Sequence, residues 1–233
     1  MLAGSDLKKK SWMSKTTIFY VNHKCVSMDD ANLATHAKAE NLFLREWEGV
    51  SVIKLGGSAD AEMEAKSYED QMKSLGEDIL PIDPDTDLPV FDLSLIGVGG
   101  KYVYFHFKRD CFMPFSNIVM IKIDDGHIGS LYPGRDEVLS GTYGPWVVPV
   151  AMKDPPSITL SLPVMKGGTK TVVAACGVSD KYPQGKADGM RRAIAADDET
   201  IVTFPAVGLR DCALWVIDEM AASKLGGQYL EED

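Results

Sequence analysis

Short runs of β-branched and aromatic residues alternate along this chain with stretches whose apolar residues recur every three or four positions. Period two marks strands and period three to four marks helices, so the alternation limits the chain to α/β architectures. Thr16-Thr17-Ile18-Phe19-Tyr20-Val21 reads as a buried strand. A mixed, helical segment from Asp30 to Glu46 follows, then a strand at Val50 to Leu55. Ser58 is the expected cap of a helix that repeats Ala65, Tyr68, Met72 and Leu75. Gly76 to Pro89, with three prolines, reads as a loop, and Leu93 to Val98 as a buried strand. Later strands are expected at Trp146 to Pro149, Ile158 to Leu162, Thr171 to Cys176 and Cys212 to Ile217. A helical turn from Pro163 and helices over Lys186 to Ala195 and Glu219 to Leu225 lie between or after them. The pattern predicts a single α/β domain over residues 1–233, three-layered and Rossmann-like, with a mainly parallel sheet covered on both faces.

A chain of 233 residues can bury a sizeable core, and a net charge of -10 argues against a nucleic-acid-binding surface. That charge gives an anionic substrate no overall attraction, so any phosphate site must be a local basic cluster. Cys25, Cys111, Cys176 and Cys212 stand far apart without metal-ligand spacing and read as free thiols in a reducing compartment. The apolar runs are strand-length, which argues against a membrane partner, and the first residues lack the apolar core of a secretory signal.

The chemistry concentrates in Asp124-Asp125-Gly126-His127-Ile128-Gly129-Ser130-Leu131-Tyr132-Pro133-Gly134-Arg135. Gly126 permits a tight bend, from which His127 projects at a corner instead of packing inside an element. Asp125 can hold an imidazole or a water in one orientation, as a general base requires. A surface histidine on an Asp-Gly turn fits the same residues.

Asp-Gly-His-x-x-Ser-Leu-(aromatic)-Pro-Gly resembles the signature of the 6-phosphogluconolactonase family. Four further matches run in order along the chain. Phe91 to Gly99 resembles the strand and Gly-x-Gly that lead into the signature, and Ile158 to Val164 the Ile-Thr-Leu-x-x-Pro-Val segment. Lys186-Ala187-Asp188 with Met190 to Ile194 resembles the lysine-headed late helix, and Trp215 to Asp218 with Ala221 to Leu225 the C-terminus.

The resemblance implies a sugar-phosphate isomerase/lactonase fold and hydrolysis of 6-phosphoglucono-1,5-lactone in the oxidative pentose phosphate pathway. His127 would be the base and Asp125 its orienting partner. Lys24, Lys186, Asn22, Gly97, Gly99 and Gly126 would bind substrate, with the lysines toward phosphate. Asn22-His23-Lys24 stands where the family carries Asp-Glu-Arg, so an ammonium replaces a guanidinium and an amide a carboxylate. His23 and His36 lie in an early polar stretch and compete poorly as bases. No cofactor and no metal are implied. The expected partner is a small-molecule sugar-phosphate lactone, without nucleic acid or membrane, and the chain is expected to be a monomer. The expected compartment is the cytoplasm, or a plastid if a transit peptide was lost with the N-terminus. Two other readings stay open: a catalytically inactive, truncated or mis-spliced sugar-phosphate-binding homologue, and, behind it, the related glucosamine-6-phosphate deaminase. Ser130-Leu131-Tyr132-Pro133 resembles the lactonase version of the signature and not the deaminase's Ile-Ala-Phe-Asn-Glu-Pro.

Residues 101–124 interrupt the resemblance. They hold four of the chain's eight phenylalanines and no glycine, alanine, leucine or glutamate. They separate Gly97-x-Gly99 from Asp125-Gly126-His127, pieces that are nearly continuous in the family. Codons for Lys, Tyr, Phe, Ile, Met and Asn are AT-rich, so the segment resembles a retained intron; a strand at Tyr102 to Phe107 is the structural alternative. It is expected to lie outside the core with poor order. The family also opens with about two further strand–helix units, including a Ser-Gly-Gly-Ser phosphate loop, so the chain is expected to be truncated. Gly56-Gly57-Ser58 follows a later strand and reads as a turn with a helix cap.

Overall fold

A computed structural model of the chain describes residues 12–97, 104–107, 125–140, 144–175 and 186–229. Ile18 and Phe19 are fully buried, on a strand with a partner on each side. That strand, β1 (Thr16–Phe19), is followed by β2 (Asn22–Lys24), α1 (Thr35–Leu42), β3 (Ser51–Val52), α2 (Ala61–Lys73), β4 (Ser94–Gly97) and β5 (Tyr104–Phe107). Then come α3 (Glu137–Ser140), β6 (Val147–Val150), β7 (Ser157–Leu160), α4 (Leu162–Lys166), β8 (Thr171–Ala175), α5 (Ala187–Ile194), β9 (Ala213–Ile217) and α6 (Glu219–Ala222).

The fold is α/β with parallel sheets. β1 pairs in parallel with β3, and β8 pairs in parallel with both β4 and β9. Val172, Val173 and Ala175 on β8 are fully buried, as expected for the middle strand of a covered parallel sheet. A third sheet, in the order β2-β7-β6, is antiparallel. The sequence places Asn22-His23-Lys24 at the end of the first strand; these residues instead form a strand of their own, opposite Thr159, Ile158 and Ser157. Alternation then puts Asn22 and Lys24 on one face and the buried His23 on the other.

α2 shows why the helical period is legible. Ala61, Ala65, Tyr68 and Met72 bury one face, while Lys66–Asp70 and Lys73–Glu69 pair at i,i+4 on the exposed side. Its cap is Asp60, whose carboxylate accepts from the Met63 N–H at 3.0 Å, and not Ser58 as the sequence suggests. Ser58 donates its own N–H to the buried Glu64 carboxylate, which also accepts from the Gly56 N–H at 2.6 Å. A helix side chain thus fastens the preceding turn, and the cap falls to the next oxygen-bearing residue. Phe19 and Phe91 meet edge-on at 5.3 Å in the core, each contributing about 1.5–3 kcal/mol through burial. Among the described residues no helix is long and apolar enough to cross a membrane.

Of residues 101–124, only 104–107 are described, and their backbone forms β5. It pairs antiparallel with β1, Thr16 opposite Phe107 and Phe19 opposite Tyr104. The expectation of poor order over the rest of the segment lies outside the described residues. Removing residues 100–123 strips β1 of this ladder and leaves its buried backbone groups unpaired on one side. Each lost hydrogen bond costs about 1 kcal/mol, so thermal unfolding of the shortened chain should come at lower temperature. An unchanged melting temperature would show that β5 adds nothing to the fold.

Candidate active site

Gly126 stands at φ 73, and a Cβ there would lie 2.4 Å from Cγ of the buried Phe204. Only glycine fits both the backbone conformation and the contact. Its carbonyl accepts from the Ala206 N–H at 2.9 Å, which fixes the bend against the 3-10 segment Pro205–Leu209. The bend brings Asp125 and His127 back toward each other. His127 Nδ1 lies 2.7 Å from Asp125 Oδ1, and the His127 N–H reaches the same oxygen at 3.2 Å. A carboxylate only accepts, so Nδ1 carries the proton and Nε2 is the basic nitrogen. The His127 side chain is 7% exposed and stacks on Tyr132 at 4.4 Å, while the Asp125 side chain stays 38% exposed. The surface-turn alternative therefore gives way to an oriented, mostly buried imidazole.

Ser130, fully buried, ties this corner to the antiparallel sheet. Its N–H donates to Thr159 Oγ1 at 3.1 Å, and its Oγ accepts from Asn22 Nδ2 at 2.9 Å and Ser157 Oγ at 3.2 Å. Gly129, at φ 57, turns the chain where a Cβ would strike Thr159 Oγ1 at 2.4 Å. Asn22 thus has a role that an aspartate cannot fill in the same way, because its amide donates where a carboxylate would only accept. Lys24 is paired in register with Ser157, which brings it to the same end of the sheet.

Gly97 ends β4, and Gly99 lies outside the described residues. Lys186 occupies the N-cap position of α5, and that helix reaches the corner through Arg192, whose guanidinium lies 4.3 Å over Phe204. Two cations escaped the sequence reading. Lys153 Nζ lies 5.0 Å from the Tyr132 ring centre and 3.4 Å from Ser130 Oγ; Arg135 Cζ lies 5.4 Å from the same ring. The visible signals were a lysine before Asp-Pro-Pro and an arginine after Pro-Gly, neither distinctive without the fold.

The profile of the family described as glucosamine-6-phosphate isomerases/6-phosphogluconolactonase matches residues 118–216. A probable 6-phosphogluconolactonase 2 of Arabidopsis thaliana is 29% identical over 97% of this chain and 82% of its own length. The 6-phosphogluconolactonase of Mycobacterium tuberculosis is 32% identical over 73% of this chain and 54% of its own. The chain is similar to members of this family. It spans 45% of a third relative, the chloroplastic 6-phosphogluconolactonase 3 of Arabidopsis thaliana. Among solved structures, the Leishmania guyanensis 6-phosphogluconolactonase superposes with a TM-score of 0.62 at 20% identity, covering 90% of this chain and 74% of that one.

His23 and His36, which lie in an early polar stretch of the sequence, are buried. His23 Nδ1 lies 2.6 Å from the Lys24 carbonyl, which only accepts, so His23 Nε2 takes the His36 N–H at 3.3 Å. His36 Nδ1 bonds the Tyr20 hydroxyl at 2.7 Å. Both rings are committed to packing. Burial, foremost, lowers the pKa of each below the ordinary 6.5. Above pH 6.5 neither the folded nor the unfolded chain protonates these rings, and their contribution to stability is flat. Below it the unfolded chain takes up protons that the folded chain resists, so stability falls with pH until the folded pKa values are reached. Melting temperature should hold between pH 8 and 7, drop toward pH 5, and drop less in His36→Gln. A flat profile would refute this account.

Proposed function

We propose that the chain hydrolyses 6-phosphoglucono-1,5-lactone to 6-phosphogluconate, the lactone-opening step of the oxidative pentose phosphate pathway. The observation that carries the reading is the Asp125–His127 contact at 2.7 Å, with the imidazole seated in the family signature. Ring opening needs water activated beside the carbonyl and a proton for the departing ring oxygen. His127 Nε2 takes the water proton as oxygen attacks C1, and returns it to the ring oxygen as the C1–O bond breaks. Asp125 holds the tautomer and balances the imidazolium that forms between the two transfers. Asn22 fixes the corner through Ser130, and Lys24 and Lys186 are assigned to the phosphate. The names of the relatives support the substrate class. No cofactor or metal enters the scheme; the reaction is assigned to a monomer in the cytoplasm, with a plastid as the alternative compartment.

His127→Ala should lower turnover about a hundredfold or more, the usual worth of a general base. Asp125→Asn should lower it as well, because the amide no longer selects the Nδ1-protonated tautomer. The measurement is lactone hydrolysis corrected for the spontaneous rate. Turnover by His127→Ala equal to the parent chain's would remove the residue from the mechanism; absence of turnover in the parent would favour a sugar-phosphate binder without catalysis.

A further inference from the structure

Lys153 and Arg135 converge on one face-bearing side chain, Tyr132, whose ring also stacks on His127. Neither cation is paired with a carboxylate among the described residues. Lys153 has one long hydrogen bond, to Ser130 Oγ at 3.4 Å, and Arg135 Nη1 is buried without a hydrogen-bond partner. A buried guanidinium nitrogen left unsatisfied is costly, and an anion is one group whose binding would relieve it. The arrangement is also held in place. Arg135 follows Gly134, whose N–H donates to the Val202 carbonyl at 2.8 Å, and Lys153 sits in the turn between β6 and β7. In a chain of net charge -10, two unpaired cations at one ring form the local basic cluster that an anionic ligand requires.

The geometry points to Lys153 and Arg135 as phosphate-binding residues additional to Lys24 and Lys186, with Tyr132 as the floor of the subsite. This rests on the proposed lactonase reading for the ligand's identity, though not for the presence of an anion site. His127 stacks on the same Tyr132 ring that both cations approach, so the pair lies next to the candidate base. An ammonium and a forked guanidinium also suit a dianion better than a single-charged carboxylate.

Calorimetry with inorganic phosphate, 6-phosphogluconate and gluconate tests the subsite without requiring turnover. Lys153→Met and Arg135→Met keep the apolar stems and remove the charges. Each should weaken binding of phosphate and 6-phosphogluconate about tenfold, the worth of one charge-assisted hydrogen bond, and leave gluconate unchanged. Lys153→Arg should retain most of the affinity. In the unsubstituted chain, phosphate should slow acetylation of Lys153 by acetic anhydride, a readout that does not depend on a variant folding. Parent-like phosphate binding by the double variant, no phosphate binding by the parent, or no protection of Lys153 would each overturn the proposal. Phosphate binding that depends on the pair, in a chain that does not hydrolyse the lactone, would leave the subsite standing and remove the lactonase reading. If hydrolysis does occur, the double variant should raise KM for the phosphorylated lactone about a hundredfold with kcat nearly kept. An unchanged KM beside His127-dependent turnover would overturn the subsite alone.

Discussion

The contact between Gly126 and Phe204 is the constraint on which the site depends. A positive φ at Gly126 folds Asp125 and His127 onto each other, and the Phe204 ring occupies the space that any side chain at 126 would need. Phe204 is in turn covered by Arg192 from α5, and the Gly126 carbonyl is bonded from Ala206. The carboxylate–imidazole pair is therefore a consequence of backbone conformation and close packing from a distant part of the chain. Without that packing the same tripeptide is a flexible turn.

A second set of interactions fixes the corner laterally. Ser130 contributes both its N–H and its hydroxyl to the antiparallel sheet, and three side chains from two distant parts of the sequence meet at its Oγ: Asn22, and Lys153 with Ser157. Because Ser130 is fully buried, these bonds are made in a low-dielectric environment, where they hold geometry more firmly than in water. The parallel sheet with β4 and β8 brings Gly97 to a strand end, and the antiparallel sheet supplies the polar side chains that hold Ser130.

The buried imidazoles make a contrast within one chain. His127 is oriented by a partly exposed carboxylate, which can stabilise its protonated form. His23 and His36 are oriented by a backbone carbonyl, each other and the Tyr20 hydroxyl, so protonation is opposed by burial. His36 Nε2 also lies 3.9 Å from the Glu40 carboxylate, but burial outweighs that attraction. Cys25 follows the same rule, its thiol pushed up to about 12 chiefly by burial.

The sequence by itself determined the α/β class, most strand and helix positions, and the Asp125–His127 pair, because these rest on local periodicity and on residues two positions apart. β4, β7, β8, α2 and α5 fall where the pattern puts them, with ends shifted by a few residues. The cap at Asp60 was less legible, since Ser58, Asp60 and Glu64 compete for the same backbone donors and only packing decides which wins. Tertiary structure alone decided that Asn22-His23-Lys24 is a strand, that His23 and His36 are buried, and that a strand from the interrupting segment pairs with β1. It alone placed Lys153 and Arg135 at Tyr132. Their neighbours lie on other elements, and no spacing along a chain records a contact made by folding it.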